Sequence, residues 1–146
     1  MILVYTDGLA EPNPGLGTYG FVIYKDGKKI LERHGFAGSQ VTNNFAEYDG
    51  LVMALRELRD STEEEIVVRS DSKLLVGQMS GEWKVSKKAL RNRREGSYVE
   101  KYLQAVEEAG RFPLISFEWV PREENSSADE LSRVAYLEQL RKGWKP

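Results

Sequence analysis

The chain opens on an apolar run, Ile2-Leu3-Val4-Tyr5, that would line both faces of an extended segment. Such a run predicts a strand over Ile2–Thr6 that is covered on both sides and therefore central to a sheet. Gly20–Lys25 and Lys29–Phe36 read as two further strands. Between them stands Asp26-Gly27, a pair suited to the two positive-φ positions of a tight hairpin. The period then changes: Leu51, Ala54, Leu55 and Leu58 fall at i, i+3, i+4 and i+7, which predicts a helix over Ala46–Leu58. A short β-branched stretch, Ile66–Arg69, predicts a fourth strand, and a helix follows over Lys73–Met79. Residues 85–109 are charged and helix-like, with Gly96 as a break. Leu114–Val120 predicts a fifth strand, ended by Pro121. Ser127–Leu140 reads as a closing amphipathic helix, stopped by Gly143 and Pro146.

The resulting order, β-β-β-α-β-α-α-β-α, is an antiparallel meander that leads into β-α-β crossovers. It predicts an α/β fold: a five-stranded mixed sheet with helices on its faces. A length of 146 residues, 40% hydrophobic and 30% charged, suits one ordinary domain over residues 1–146. No apolar run approaches the roughly 20 residues of a membrane helix. The first residues lack the basic start of a signal peptide, so a cytoplasmic location is expected.

The residue inventory narrows the chemistry. There is no cysteine and a single histidine, His34. Thiolate zinc sites, cysteine nucleophiles and multi-histidine metal sites are excluded, and a serine triad is disfavoured. Any metal must be held by oxygen, which points to a hard cation such as Mg²⁺ or Mn²⁺. The net charge of −2 does not by itself advertise a nucleic-acid partner, but the charge is unevenly spread.

Four acids stand at element boundaries, and each also has an ordinary structural explanation. Asp7 closes the first predicted strand before Gly8, where an Asp-Gly turn would serve. Asp71 closes the fourth and would serve as a helix N-cap. Both are at the carboxyl ends of apolar strands, where open α/β sheets place ligands. Glu47 fits a capping box with Asn44, yet it shares the core-facing stripe of Leu51, Ala54 and Leu58. A carboxylate there needs a counter-charge, and no Lys or Arg stands one turn away. Asp129 opens the closing helix, where the helix dipole favours an acid. The case for chemistry rests on all four converging on one edge of the sheet.

Taken together, these segments resemble type 1 ribonuclease H. They are Tyr5-Thr6-Asp7-Gly8 continuing through Asn13-Pro14-Gly15 to Gly20, then Thr42-Asn43-Asn44 with Ala46-Glu47. Ser70-Asp71-Ser72 follows, and finally Trp119-Val120-Pro121 with Ala128-Asp129. The resemblance implies the ribonuclease H-like five-stranded sheet and endonucleolytic cleavage of the RNA strand of RNA–DNA hybrids, leaving 5′-phosphate and 3′-hydroxyl ends. It implies Asp7, Glu47, Asp71 and Asp129 as catalytic ligands of two divalent ions, Mg²⁺ or Mn²⁺. Asp7 would bridge, Asp129 would serve the water-activating ion, and Glu47 and Asp71 the other. It also places Asn13, Thr42, Asn43 and Asn44 on the hybrid, with backbone groups near Leu9 and Ala10 approaching ribose.

Two departures are visible. The loop before the last helix, Pro121-Arg122-Glu123-Glu124-Asn125, lacks the histidine found in many relatives; Arg122 is the candidate to steer the leaving phosphate, against a plain solvated charge. Lys73 stands where many relatives carry an uncharged polar residue. Lys84, Lys87, Lys88, Arg91, Arg93 and Arg94 form a basic segment after Trp83. Lys87, Lys88 and Arg91 are expected to contact phosphates, against a solvated helix face. Gly15-Leu16-Gly17-Thr18-Tyr19-Gly20 matches a dinucleotide fingerprint formally, but it runs into a strand, so it reads as a loop and strand entry and no nucleotide cofactor is expected. His34 reads as a surface side chain. A monomer is expected. The competing functions are a nuclease of this fold acting on double-stranded RNA or a DNA junction, a non-catalytic nucleic-acid binding module, and an acidic cation-binding protein.

Overall fold

The computed structural model describes residues 1–91, 94 and 96–143. β1 (Ile2–Glu11), β2 (Gly15–Lys25) and β3 (Lys28–Val41) form the antiparallel meander. β4 (Ile66–Ser70) runs parallel to β1, and β5 (Ile115–Trp119) parallel to β4. The sheet order is β3-β2-β1-β4-β5, so the opening run is central, as its apolar faces predict. Asp26 and Gly27 both have positive φ, 50° and 83°, and make the expected hairpin turn.

The helices are α1 (Asn43–Glu57), α2 (Lys73–Met79), α3 (Lys87–Arg91), α4 (Tyr98–Ala109) and α5 (Ser126–Arg141). A short 3₁₀ turn, Arg122–Glu124, precedes α5. Gly96, at φ 82°, lies between α3 and α4, the break the sequence marks. Pro146, expected to help stop the last helix, lies outside the described residues, as does Arg93. Side chains alternate across β2. Tyr19, Phe21 and Ile23 join Tyr48, Leu51 and Leu55 of α1 in the core. Thr18 and Gly20 face α5, with the Thr18 hydroxyl donating to the Ser132 carbonyl at 2.8 Å. The sheet is thus covered by helices on both faces.

Several boundaries differ from expectation, β3 among them in running on to Val41, and three bear directly on the site, each for a physical reason. β1 runs on to Glu11 because β2 pairs with it over its whole length, so Asp7 is inside a strand rather than at its end. β2 begins at Gly15, so the glycine-rich segment, expected as a loop and strand entry, is strand throughout. Its glycines make room for neighbours: a Cβ on Gly20 would collide with the Ala128 carbonyl and the Ser132 nitrogen of α5. α1 begins at Asn43 because the Thr42 hydroxyl accepts the Phe45 N–H at 3.1 Å. Asn44 is therefore not the cap, and the capping-box explanation of Glu47 falls away.

Candidate active site

β1 pairs with β4 only as far as Tyr5 opposite Arg69, whereas β1 itself continues past that point. The flank of β1 beyond β4 is open, and the acids gather there. Asp7 shares its face of the sheet with its partner Gly20, the face on which α5 packs. Glu47 comes from α1, on the other face. A gap in the sheet edge lets acids of both layers meet.

Asp7, Glu47 and Asp71 each offer a carboxylate oxygen, and the three oxygens all lie within 4.8 Å of one another. Asp129, in the first turn of α5, lines the same hollow of about 540 Å³, together with Lys73, Trp119, Arg122 and Arg133. The plain explanations weaken. Ser72, not Asp71, caps α2, its hydroxyl accepting the Leu75 N–H at 3.1 Å. Asp7 is 5% exposed in mid-strand and makes no turn. Oε2 of Glu47 is enclosed without a hydrogen-bond partner, and no ion pair among the described residues involves Glu47.

Crowding three acids out of water raises their proton affinity. Burial, then the charge of Asp71, then hydrogen bonding with Asp129, pushes Asp7 up from 3.8 to about 7. Burial and then the charge of Asp7 hold Glu47 well above its ordinary value, against the Gly8 N–H. Asp71 is raised by burial and eased by the Asn125 amide and the Arg122 charge. Clustered, desolvated oxygen donors with one orphaned buried oxygen fit a hard divalent cation. Nothing else among the described residues neutralises Glu47.

The polar residues expected on the substrate side form one rim. The Ala10 N–H donates to Asn43 Oδ1 at 2.7 Å, and the Asn43 N–H donates to Asn13 Oδ1 at 3.0 Å. Asn43 and Asn44 border the carboxylate hollow. With Asn13, Thr42 and Arg94 they also line a neighbouring one. Arg122 reaches the carboxylate hollow from the 3₁₀ turn. Lys87, Lys88 and Arg91 do not: they are exposed on α3, away from the acids. Trp83 packs on α2, where a Cβ at Gly77 would strike its ring. His34 does not line the hollow: on β3, two strands across from Asp7, it contacts Glu138 of α5 at 3.2 Å.

Sequence reasoning assigned no role to Asn125 or Arg133. The Asn125 amide, 1% exposed, donates to the Thr6 carbonyl at 2.9 Å and approaches Asp71 Oδ1 at 3.5 Å, tying α5 to β1 and β4. In sequence it reads only as a residue before a helix. Arg133 reaches Asp129 at 3.2 Å, and its i+4 spacing was the available signal.

The family model described as RNase H matches residues 1–136. The chain belongs to the ribonuclease H family. It is 38% identical over 135 residues to bifunctional protein Rv2228c of Mycobacterium tuberculosis, a match covering 92% of this chain and 35% of that protein. Ribonuclease HI of Halobacterium salinarum is 34% identical over 131 residues, with 90% and 62% covered. The chain thus spans about a third of the length of the mycobacterial relative and under two thirds of the halophile's. Among solved structures, the N-terminal ribonuclease H domain of Rv2228c superposes with a TM-score of 0.83 at 34% identity, covering 98% of each chain. LC11-RNase H1, solved in complex with an RNA/DNA hybrid, superposes at 0.82 and 35% identity, covering 96% and 99%. These likenesses bear out the five-stranded mixed-sheet fold.

Proposed function

We propose that this chain is an endoribonuclease that hydrolyses the RNA strand of RNA–DNA hybrids, leaving 5′-phosphate and 3′-hydroxyl ends. The observation that carries it is the convergence of Asp7, Glu47 and Asp71 within 4.8 Å, beside Asp129, in a member of the ribonuclease H family. LC11-RNase H1, of the same fold, was solved on an RNA/DNA hybrid, and that favours a hybrid over double-stranded RNA or a DNA junction.

The four acids would hold two divalent ions, Mg²⁺ or Mn²⁺. Asp7 is the choice for a shared ligand because its proton affinity answers to each of the other three acids. When bound, the ions supply activation of water near neutral pH and neutralise charge on the phosphate and leaving oxygen. The chain's own residues do the positioning. Asn125 fixes Asp71 against Thr6, Arg133 steadies Asp129, and the Asn13–Asn43–Ala10 rim presents amides to the ribose side of the groove. Arg122, exposed and lining the same hollow, would steer the departing phosphate. Lys87, Lys88 and Arg91 add a basic strip from α3 that holds phosphates further along.

This reading takes residues 1–146 as one ribonuclease H domain acting as a monomer in the cytoplasm. It is supported by the one five-stranded sheet and by a family match over residues 1–136. No helix among the described residues is long and apolar enough to cross a membrane. The test is a substrate panel: labelled hybrid, RNA duplex and DNA duplex of one sequence, with product ends typed. Cutting confined to the hybrid's RNA strand with 5′-phosphate products is expected. Equal cutting of the RNA duplex would contradict the substrate assignment.

A further inference from the structure

Three cations line the carboxylate hollow: Lys73, Arg122 and Arg133. Arg133 is spoken for by Asp129. Lys73 stands two residues past Asp71, in the hollow that Asp7, Glu47, Asp71 and Asp129 line, yet it pairs with no carboxylate among the described residues. Its ammonium instead lies over the Trp119 ring, 5.1 Å from the centroid. Trp119 is 45% exposed, and its indole N–H donates to the Asp71 carbonyl at 3.1 Å, which fixes the ring at the edge of the hollow.

A lysine beside unscreened acids ordinarily folds onto them. Here the π face of an anchored indole holds the ammonium off the metal-binding oxygens. Its charge is neither spent on those acids nor in competition with a divalent cation. An exposed aromatic carrying a cation, at the edge of a phosphodiester-cleaving site, matches the chemistry of a nucleic-acid backbone: the cation meets a phosphate and the ring meets the neighbouring sugar or base. We propose that Lys73 and Trp119 together form a backbone-binding contact for the strand being cut, with the Lys73 ammonium on a phosphate flanking the scissile one. The contact rests on the hybrid-cleaving function proposed above. It is separate from Arg122, which lines the same hollow from the 3₁₀ turn that follows β5.

The test measures binding of a fluorescent RNA–DNA hybrid as a function of salt. Every protein carries Asp7→Asn so that no strand is cut during the measurement. The slope of log affinity against log salt should become shallower by roughly 0.9 with Lys73→Gln, the value of one phosphate no longer neutralised, and should be kept with Lys73→Arg. Trp119→Leu should weaken binding and flatten the slope to a similar extent, while Trp119→Phe, which keeps a ring under the ammonium, should retain most of it. An unchanged slope in Lys73→Gln, with the parent protein binding hybrid normally, overturns the contact. Failure of the parent to bind hybrid at all would instead overturn the function on which it rests.

Discussion

At the residue scale, the site is a set of acids held closer than their charges would choose. The folded chain binds a proton on Asp7 more tightly than the unfolded chain does. This part of its stability is therefore fully present below about pH 3.8 and lost as the pH rises through about 7. Glu108 works the other way: hydrogen bonding to Arg59, ahead of Arg56, lowers it to about 2, so its contribution is present above about pH 4.5 and lost as the pH falls towards 2. In chelator, Asp7→Asn should stabilise the protein at pH 8 by on the order of 2 kcal/mol. At pH 4 the gain should be close to nothing. Urea midpoints at the two pH values check this, and no gain at pH 8 would contradict a carboxylate made costly by burial and then by the charge of Asp71. Asn125→Ala removes a buried amide from Thr6 and Asp71. It should cost about 1–3 kcal/mol of stability and weaken Mn²⁺ binding, read by calorimetry, by roughly 10- to 100-fold.

At the scale of elements, the site exists because β1 outruns β4 and because Gly8 lets α1 come close. A Cβ on Gly8 would collide with the Ala46 carbonyl carbon and the Glu47 amide nitrogen. Gly8→Ala should therefore push the first turn of α1 off β1 and separate Glu47 from Asp7. The expected result is a loss of about 1–3 kcal/mol of stability and a fall in turnover of roughly 100-fold. Thermal melts beside steady-state rates check both, and wild-type turnover in a folded Gly8→Ala would show that the approach does not matter. The elements also show what a sequence can and cannot disclose. The apolar faces of Ile2–Tyr5, the Asp26-Gly27 turn and the Leu51–Leu58 stripe carry their structure locally, so those elements were legible. The extension of β1 to Glu11 and of β2 back to Gly15 was not, because long-range pairing sets those ends and the glycines that permit it look like loop. Likewise the competing explanations for Asp71, Glu47 and Asp7 were decided only by where the caps and the strand ends fell.

On the scale of the whole molecule, a net charge of −2 conceals a division of labour. The acids occupy the hollow, while Lys84, Lys87, Lys88 and Arg91 stand exposed around α3. The convergence of the acids is a long-range matter that spacing alone does not reveal. Four individually weak motifs become convincing only as an ordered set, and it is the set that makes the resemblance to ribonuclease H legible in the sequence. Asn125 escaped notice because its partners, Thr6 and Asp71, are 119 and 54 residues away. Replacing Lys87, Lys88 and Arg91 together with alanine should flatten the salt dependence of hybrid binding, by roughly 0.9 for each phosphate no longer neutralised. The hybrid's cleavage site should stay unchanged. An unaltered slope would reduce the segment to a solvated face.

The most direct test of the central claim is cleavage of an RNA–DNA hybrid by the wild-type chain and by Asp7→Asn, side by side, in Mg²⁺, in Mn²⁺ and in chelator. The account predicts that the wild type cuts the RNA strand in a divalent metal and not in chelator, and that Asp7→Asn cuts in neither metal while still binding the hybrid. Cleavage that persists in chelator, or in Asp7→Asn, would contradict a reaction run by this cluster of carboxylates.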